Sequence, residues 1–141
     1  MFILDTNVVS ELRKIHLGKA DAQVARWADS VEAVSLYISA ITVLELEKGV
    51  LLMERRDERQ GAALRAWLDG RVMPEFRDRI LPVDGAVARR CAQLHVPDPR
   101  SERDALIAAT ALVHGMTVVT HNVADFAPSG AAVLDPWTPL D

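Results

Sequence analysis

A single cysteine, Cys91, excludes an intrachain disulfide and leaves the redox compartment unread. On a helical stretch it is expected to be a small buried core residue. Aromatics are scarce, with three Trp, three Phe and one Tyr, so no platform for stacking nucleobases is evident. Trp27 and Trp67 fall at helical core positions. Positive charge is short as well. The chain carries −4 at neutral pH, which excludes a globally basic nucleic-acid binder and leaves room only for locally gathered cations. The longest apolar stretch, near residues 105–113, is far from the roughly 20 residues that cross a bilayer. The opening Met1-Phe2-Ile3-Leu4-Asp5 is too short for a signal peptide, so the cytoplasm is the expected compartment. No repeat, low-complexity tract or break in composition divides the 141 residues. One domain over 1–141 is expected, long enough to bury a core without staples.

Short apolar runs separated by amphipathic stretches make up most of the chain. Strands are expected at 2–4, 34–38, 79–83 and 117–120, with a weak one at 132–134. Helices are expected at 8–14, 20–31, 40–54, 59–72, 85–95 and 104–114, the last stopped by Gly115. Pro97 and Pro99 make 96–100 a loop. Strands too short and apolar to alternate, each followed by a helix, indicate a three-layer α/β/α sandwich with a mostly parallel central sheet. Ligands of such sheets collect at the carboxyl ends of the strands.

Acidic residues fall at those ends. Asp5 follows the first strand, Glu45 sits in the second turn after strand two, Asp104 opens the helix before strand four, and Asp125 follows strand four behind Asn122. Two ionised carboxylates about 5 Å apart repel by roughly 3 kcal/mol at an effective dielectric near 20, so four gathered together cost on the order of 10 kcal/mol. Such a group must take up protons or bind a cation. Magnesium fits best, being hard and oxygen-seeking, and no Cys/His spacing for zinc competes. Each acid also has a purely structural reading. Thr42-x-x-Glu45 and Ser101-x-x-Asp104 match the capping box, Asp5 can be a helix cap, and Asn122 and Asp125 can be turn formers.

Ile3-Leu4-Asp5-Thr6-Asn7, the Ser39 to Gly49 segment, the Asp104 to Ala111 segment and Thr120-His121-Asn122-Val123-Ala124-Asp125-Phe126 resemble, in order, the motifs of PIN domains. The nearest subgroup in appearance is the VapC and FitB-like toxins of toxin–antitoxin pairs. The resemblance implies an endoribonuclease using Mg2+ or Mn2+, acting on RNA, restrained by a small antitoxin and commonly a homodimer. It implies that Asp5, Glu45 and Asp104 are the acidic triad. Asn122 stands where some relatives carry Asp, so the fourth acidic role passes to Asp125. Asp5, Asp104 and Asp125 are the expected metal ligands, with Glu45 acting on the attacking water. Thr6, Asn7, Ser39, Thr42, Asn122 and Arg103 are expected to hold substrate, ligands or waters. His121, where Arg or Asn is usual, is expected to be an exposed loop residue.

Local cations that could grip RNA are Arg13-Lys14, Lys48, Arg55-Arg56, Arg100 and Arg103. Ile41, Leu44, Val50 and Leu51 form an apolar face on the third helix, for core packing or for a partner. Two rival classes fit poorly. A haloacid-dehalogenase-like phosphatase wants Asp-x-Asp-x-Thr where Asp5-Thr6-Asn7 stands, and a receiver wants paired acids in the first strand. A PIN fold that binds without cutting is the remaining alternative.

Overall fold

β1 (Phe2–Leu4) is an apolar run that ends where Asp5 turns its carboxylate onto the Thr6 N–H and starts α1 (Thr6–Arg13), two residues earlier than expected. The same logic recurs along the chain. Asp21 caps α2 (Ala22–Ser30), Asp57 caps α4 (Glu58–Trp67) and Asp84 caps α6 (Gly85–Leu94). Ser39 ends β2 (Leu36–Ser39) and caps α3 (Ala40–Arg56), so strand and helix join without a loop. The strand expected from residue 34 begins later, because Ala33–Ser35 forms a 3-10 turn. The helix expected over 59–72 is not uniform: Leu68–Val72 widens to π spacing around Gly70, a weak helix former, before the short α5 (Met73–Glu75). Beyond β3 (Ile80–Leu81) and α6, α7 (Glu102–His114) ends at Gly115, whose φ of +66° is the left-handed conformation of a helix terminus. β4 (Thr117–Val119), the four-residue α8 (Val123–Phe126) and β5 (Val133–Leu134) complete the order. This computed structural model describes residues 1–139; Leu140 and Asp141, the end of the expected 1–141 domain, lie outside the described residues.

The five strands stand in the order β3-β2-β1-β4-β5, and every described pairing is parallel, where a mostly parallel sheet was expected. The pleat sends Ile3 and Val118 to one face, against Val87, Cys91, Ile107 and Phe126. Leu4, Val119, Leu36 and Ile38 go to the other, against Val8, Trp27, Leu46 and Val50. Both faces are covered, which is why the strands read as unbroken apolar runs. Cys91 is buried in the first cluster, as the sequence predicts. No helix among the described residues is long and apolar enough to cross a membrane.

Because the register pairs Leu4 with Val119, Asp5 and Thr120 leave the sheet side by side at its carboxyl rim. α7 runs back from that rim. Ala105, Ala108, Ala109 and Ala111 are buried along it, so its backbone lies close to the sheet and its first turn is held firmly.

Candidate active site

Asp5 is the most deeply set acid, 6 % exposed. One carboxylate oxygen accepts the Thr6 N–H at 2.8 Å; the other accepts the Thr120 hydroxyl at 2.8 Å and the Asn7 amide at 3.3 Å. The cap reading is therefore correct for one oxygen and incomplete for the other. Burial raises the Asp5 pKa above its ordinary value. The Thr120 and Thr6 hydrogen bonds oppose that rise, and the charges of Glu45 and Asp125 add to it.

Glu45 lies on α3, half-buried. The capping-box reading fails here, because the cap of α3 is Ser39 and Thr42 already lies inside the helix. The Glu45 carboxylate instead accepts the Thr6 hydroxyl at 2.6 Å, and its second oxygen is 3.7 Å from the Arg103 guanidinium. Thr6 thus ties the residue after Asp5 to Glu45 across the rim.

Asp104 is the third residue of α7, which starts at Glu102 rather than at Asp104 itself. Ser101 occupies the cap position but makes no side-chain cap bond, so the second capping box is absent too. Burial raises the Asp104 pKa, and the charges of Asp5, Asp125 and Glu45 raise it further. Asp104 and Asp125 line one cleft of about 220 Å³ between the first turn of α7 and α8, with Arg100, Ser101 and Ser129. A larger apolar cleft of about 580 Å³, lined by Val9, Leu12, Arg13, Trp67 and Phe76, opens away from these acids and holds none of them.

Four carboxylates from residues 5, 45, 104 and 125 therefore share one electrostatic field. Two of them, Asp5 and Asp104, are raised above the ordinary carboxylate value, by burial first and by the neighbouring negative charges after it. All are hard oxygen donors, and Arg103 is the one cation paired with them among the described residues. That chemistry fits a hard divalent ion. The cluster is open, though: no three Asp, Glu, His or Cys side chains among the described residues are gathered tightly enough to hold an ion without rearrangement.

Of the other expected residues, Thr6 and Asn7 touch the acids directly. Thr42 is buried and reaches only Thr6, at 3.4 Å, while the Ser39 hydroxyl is spent on the Ile41 N–H. Asn122 is exposed; its backbone N–H donates to the Thr120 hydroxyl, while its side chain makes no hydrogen bond among the described residues. Asp125, not Asn122, is in the field of the other acids. Two of the expected RNA-gripping cations are otherwise engaged: Arg100 donates to the Leu94 and Pro128 carbonyls, and Arg13 lies over the Trp67 ring. Thr120, fully buried, is the residue that sequence reasoning missed. The available signal was a polar residue directly after the apolar run of β4.

A parallel three-layer α/β protein with an acidic group at the carboxyl rim is the class these features define. The chain belongs to the PIN domain family, which it matches over residues 2–127. It is 37% identical over 144 residues to VapC ribonuclease Y4jK of Sinorhizobium fredii, with 99% of each chain covered. It is 38% identical to Toxin FitB of Neisseria gonorrhoeae, covering 97% of this chain and 99% of that one. Among solved structures, a chain of FitAB bound to an IR36 DNA fragment superposes with a TM-score of 0.89 at 34% identity, covering 100% of this chain and 99% of that one.

Proposed function

We propose that this protein is a divalent-metal-dependent endoribonuclease, the toxin of a toxin–antitoxin pair, acting in the cytoplasm as one PIN unit over 1–141. The observation that carries the reading is the pair Asp5 and Asp104. They come from opposite parts of the chain into one field, and each is held above the ordinary carboxylate range. Such a pair is stabilised by a cation. The relatives' names, a VapC ribonuclease and the toxin FitB, support the activity and the toxin role.

In this reading Asp5, Asp104 and Asp125 hold Mg2+ or Mn2+. When bound, such an ion offsets phosphate charge and makes a water more acidic. Glu45, fixed by the Thr6 hydroxyl, orients the attacking water and takes its proton. The water oxygen bonds to phosphorus, the P–O3′ bond breaks, and the leaving oxygen takes up a proton, giving 5′-phosphate and 3′-hydroxyl ends. Thr120 and Asn7 fix the Asp5 carboxylate. Arg103, beside Glu45 and 44 % exposed, is placed to meet a phosphate of the RNA.

The partners in this reading are RNA, a small antitoxin and a second copy of the chain. Leu44, Leu51 and Leu52 on α3 are 47 %, 52 % and 59 % exposed, an apolar stripe suited to homodimer contact. Val50, from the same expected face, is buried in the core instead.

The test is cleavage of RNA with magnesium, with manganese and with EDTA, alongside Asp5→Asn and Asp104→Asn. Activity is expected only with metal and only in the parent. Undiminished cleavage in EDTA, or in both variants, would refute the mechanism. Expression is expected to arrest growth unless an antitoxin is co-expressed; normal growth of cells containing folded protein would remove the toxin role.

A further inference from the structure

His121 is a loop residue after β4, and Trp137 lies beyond β5. Parallel pairing of β4 with β5 carries both to the carboxyl rim. There the imidazole and indole centroids are 4.2 Å apart, with the planes tilted by 41°. A single oxygen of Asp135 links the two residues: it accepts the Trp137 backbone N–H at 2.9 Å and lies 3.5 Å from His121 Nδ1. From the other side, the His121 backbone N–H donates to Asn7 at 3.3 Å, and the Asn7 amide donates in turn to Asp5. The His121 backbone is thus joined through one side chain, Asn7, to the deepest acid of the site, and Trp137 packs against the His121 ring. Even so, the His121 side chain stays 53 % exposed.

We infer that His121, backed by Trp137, is a stacking subsite for one unpaired nucleobase of the RNA, placed beside the carboxylates that act on the backbone. This rests on the ribonuclease reading above and adds to it where the bases go. A flat aromatic face held in place and left open on one side suits a nucleobase, since every base has a π-face to offer. Asp135 beside the imidazole makes the spot a poor seat for a phosphate, so the contact is with the base rather than the backbone. Only a base free of its own helix can reach such a face, which selects single strands and loops. The subsite tolerates any base and works by position, holding the chain so that a backbone phosphate faces Asp5, Glu45 and Asp104.

The test uses the full chain carrying Asp104→Asn, so that RNA is not cut, with magnesium present. Fluorescein-labelled 12-residue oligouridylate and oligoadenylate are compared with an abasic oligoribose phosphate of the same length, by anisotropy. Adding His121→Ala is expected to weaken binding of both base-bearing strands by about 5- to 150-fold, the range of one base–aromatic stack. Binding of the abasic strand should stay unchanged, and His121→Phe should restore the loss. Equal affinity of the His121→Ala protein for base-bearing RNA would overturn the inference alone. Equal losses on base-bearing and abasic strands would overturn it too, because the contact would then be with the backbone. A failure of His121→Phe to restore binding would likewise overturn it. If the parent chain in magnesium neither bound nor cut RNA, the ribonuclease reading itself would fall, and this inference with it.

Discussion

Changing Asp104 to Asn keeps the shape of the side chain and removes one negative charge from the rim. Asp104 is half-buried, accepts no hydrogen bond among the described residues, and lies in the field of Asp5, Asp125 and Glu45. Burial first, and those charges second, hold its carboxyl above the ordinary 3.8. Below pH 3.8 folded and unfolded chains both keep the proton, so the residue costs the fold nothing there. As pH rises from that value through the raised folded pKa, the native state binds more protons than the unfolded chain and loses stability; above it the cost is constant. Asn never carries that cost. Two carboxylates a Debye length apart, about 8 Å, repel by roughly 2 kcal/mol at a dielectric near 20. Water on the open side of Asp104, and Arg103 beside Glu45, screen part of this. A gain of about 0.5–2 kcal/mol at pH 7 is expected without metal, or roughly 2–8 °C in melting temperature. Magnesium should reverse the order, since an ion at 100 times its Kd stabilises the parent by about 2.7 kcal/mol and a variant lacking a ligand by far less. Thermal melts by circular dichroism, in EDTA and in magnesium, at pH 4 and pH 7, read all of this. A variant that melts below the parent in EDTA at pH 7, or that gains as much from magnesium, would refute the reasoning.

Thr120→Val removes a buried hydroxyl that donates to Asp5 and accepts from Asn122, so urea unfolding should show a loss of about 1.5–3 kcal/mol; an unchanged midpoint would contradict the assigned contacts. Thr6→Val frees the Glu45 carboxylate, and kcat on RNA should fall by about 100-fold with KM little changed; an equal kcat would mean that Thr6 does not position Glu45. Gly61→Ala would place a methyl 2.5 Å from the Glu54 backbone where α3 and α4 meet, costing about 1–3 kcal/mol in chemical denaturation, and a neutral effect would show that the two helices part easily.

Local chemistry made much of this molecule legible. Asp5 and Ser39 cap helices because a short oxygen-bearing side chain reaches the next N–H groups in the chain, and Gly115 ends α7 because it alone tolerates that turn cheaply. Apolar runs of strand length with helices between them sufficed for a parallel sheet, and a parallel sheet puts its strand ends at one rim. Boundaries slipped where competing local signals met, as at Val34, taken for strand and found just inside a 3-10 turn. The capping boxes at Glu45 and Asp104 misled because the same spacing of polar and acidic residues serves a helix end or a site equally well.

The sequence by itself determined the main strands and helices and their order, since capping and apolar periodicity act between near neighbours, and the parallel sheet they imply puts the acids at strand ends on one rim. Only the tertiary structure decided that Thr120 holds Asp5 across 115 residues, that Thr6 rather than Thr42 holds Glu45, that Arg100 is consumed in the scaffold, and that His121 meets Trp137. Side-chain partners across a sheet depend on strand register and helix rotation, and one residue of register reverses which face a side chain occupies. Spacing along the chain carries no trace of that choice.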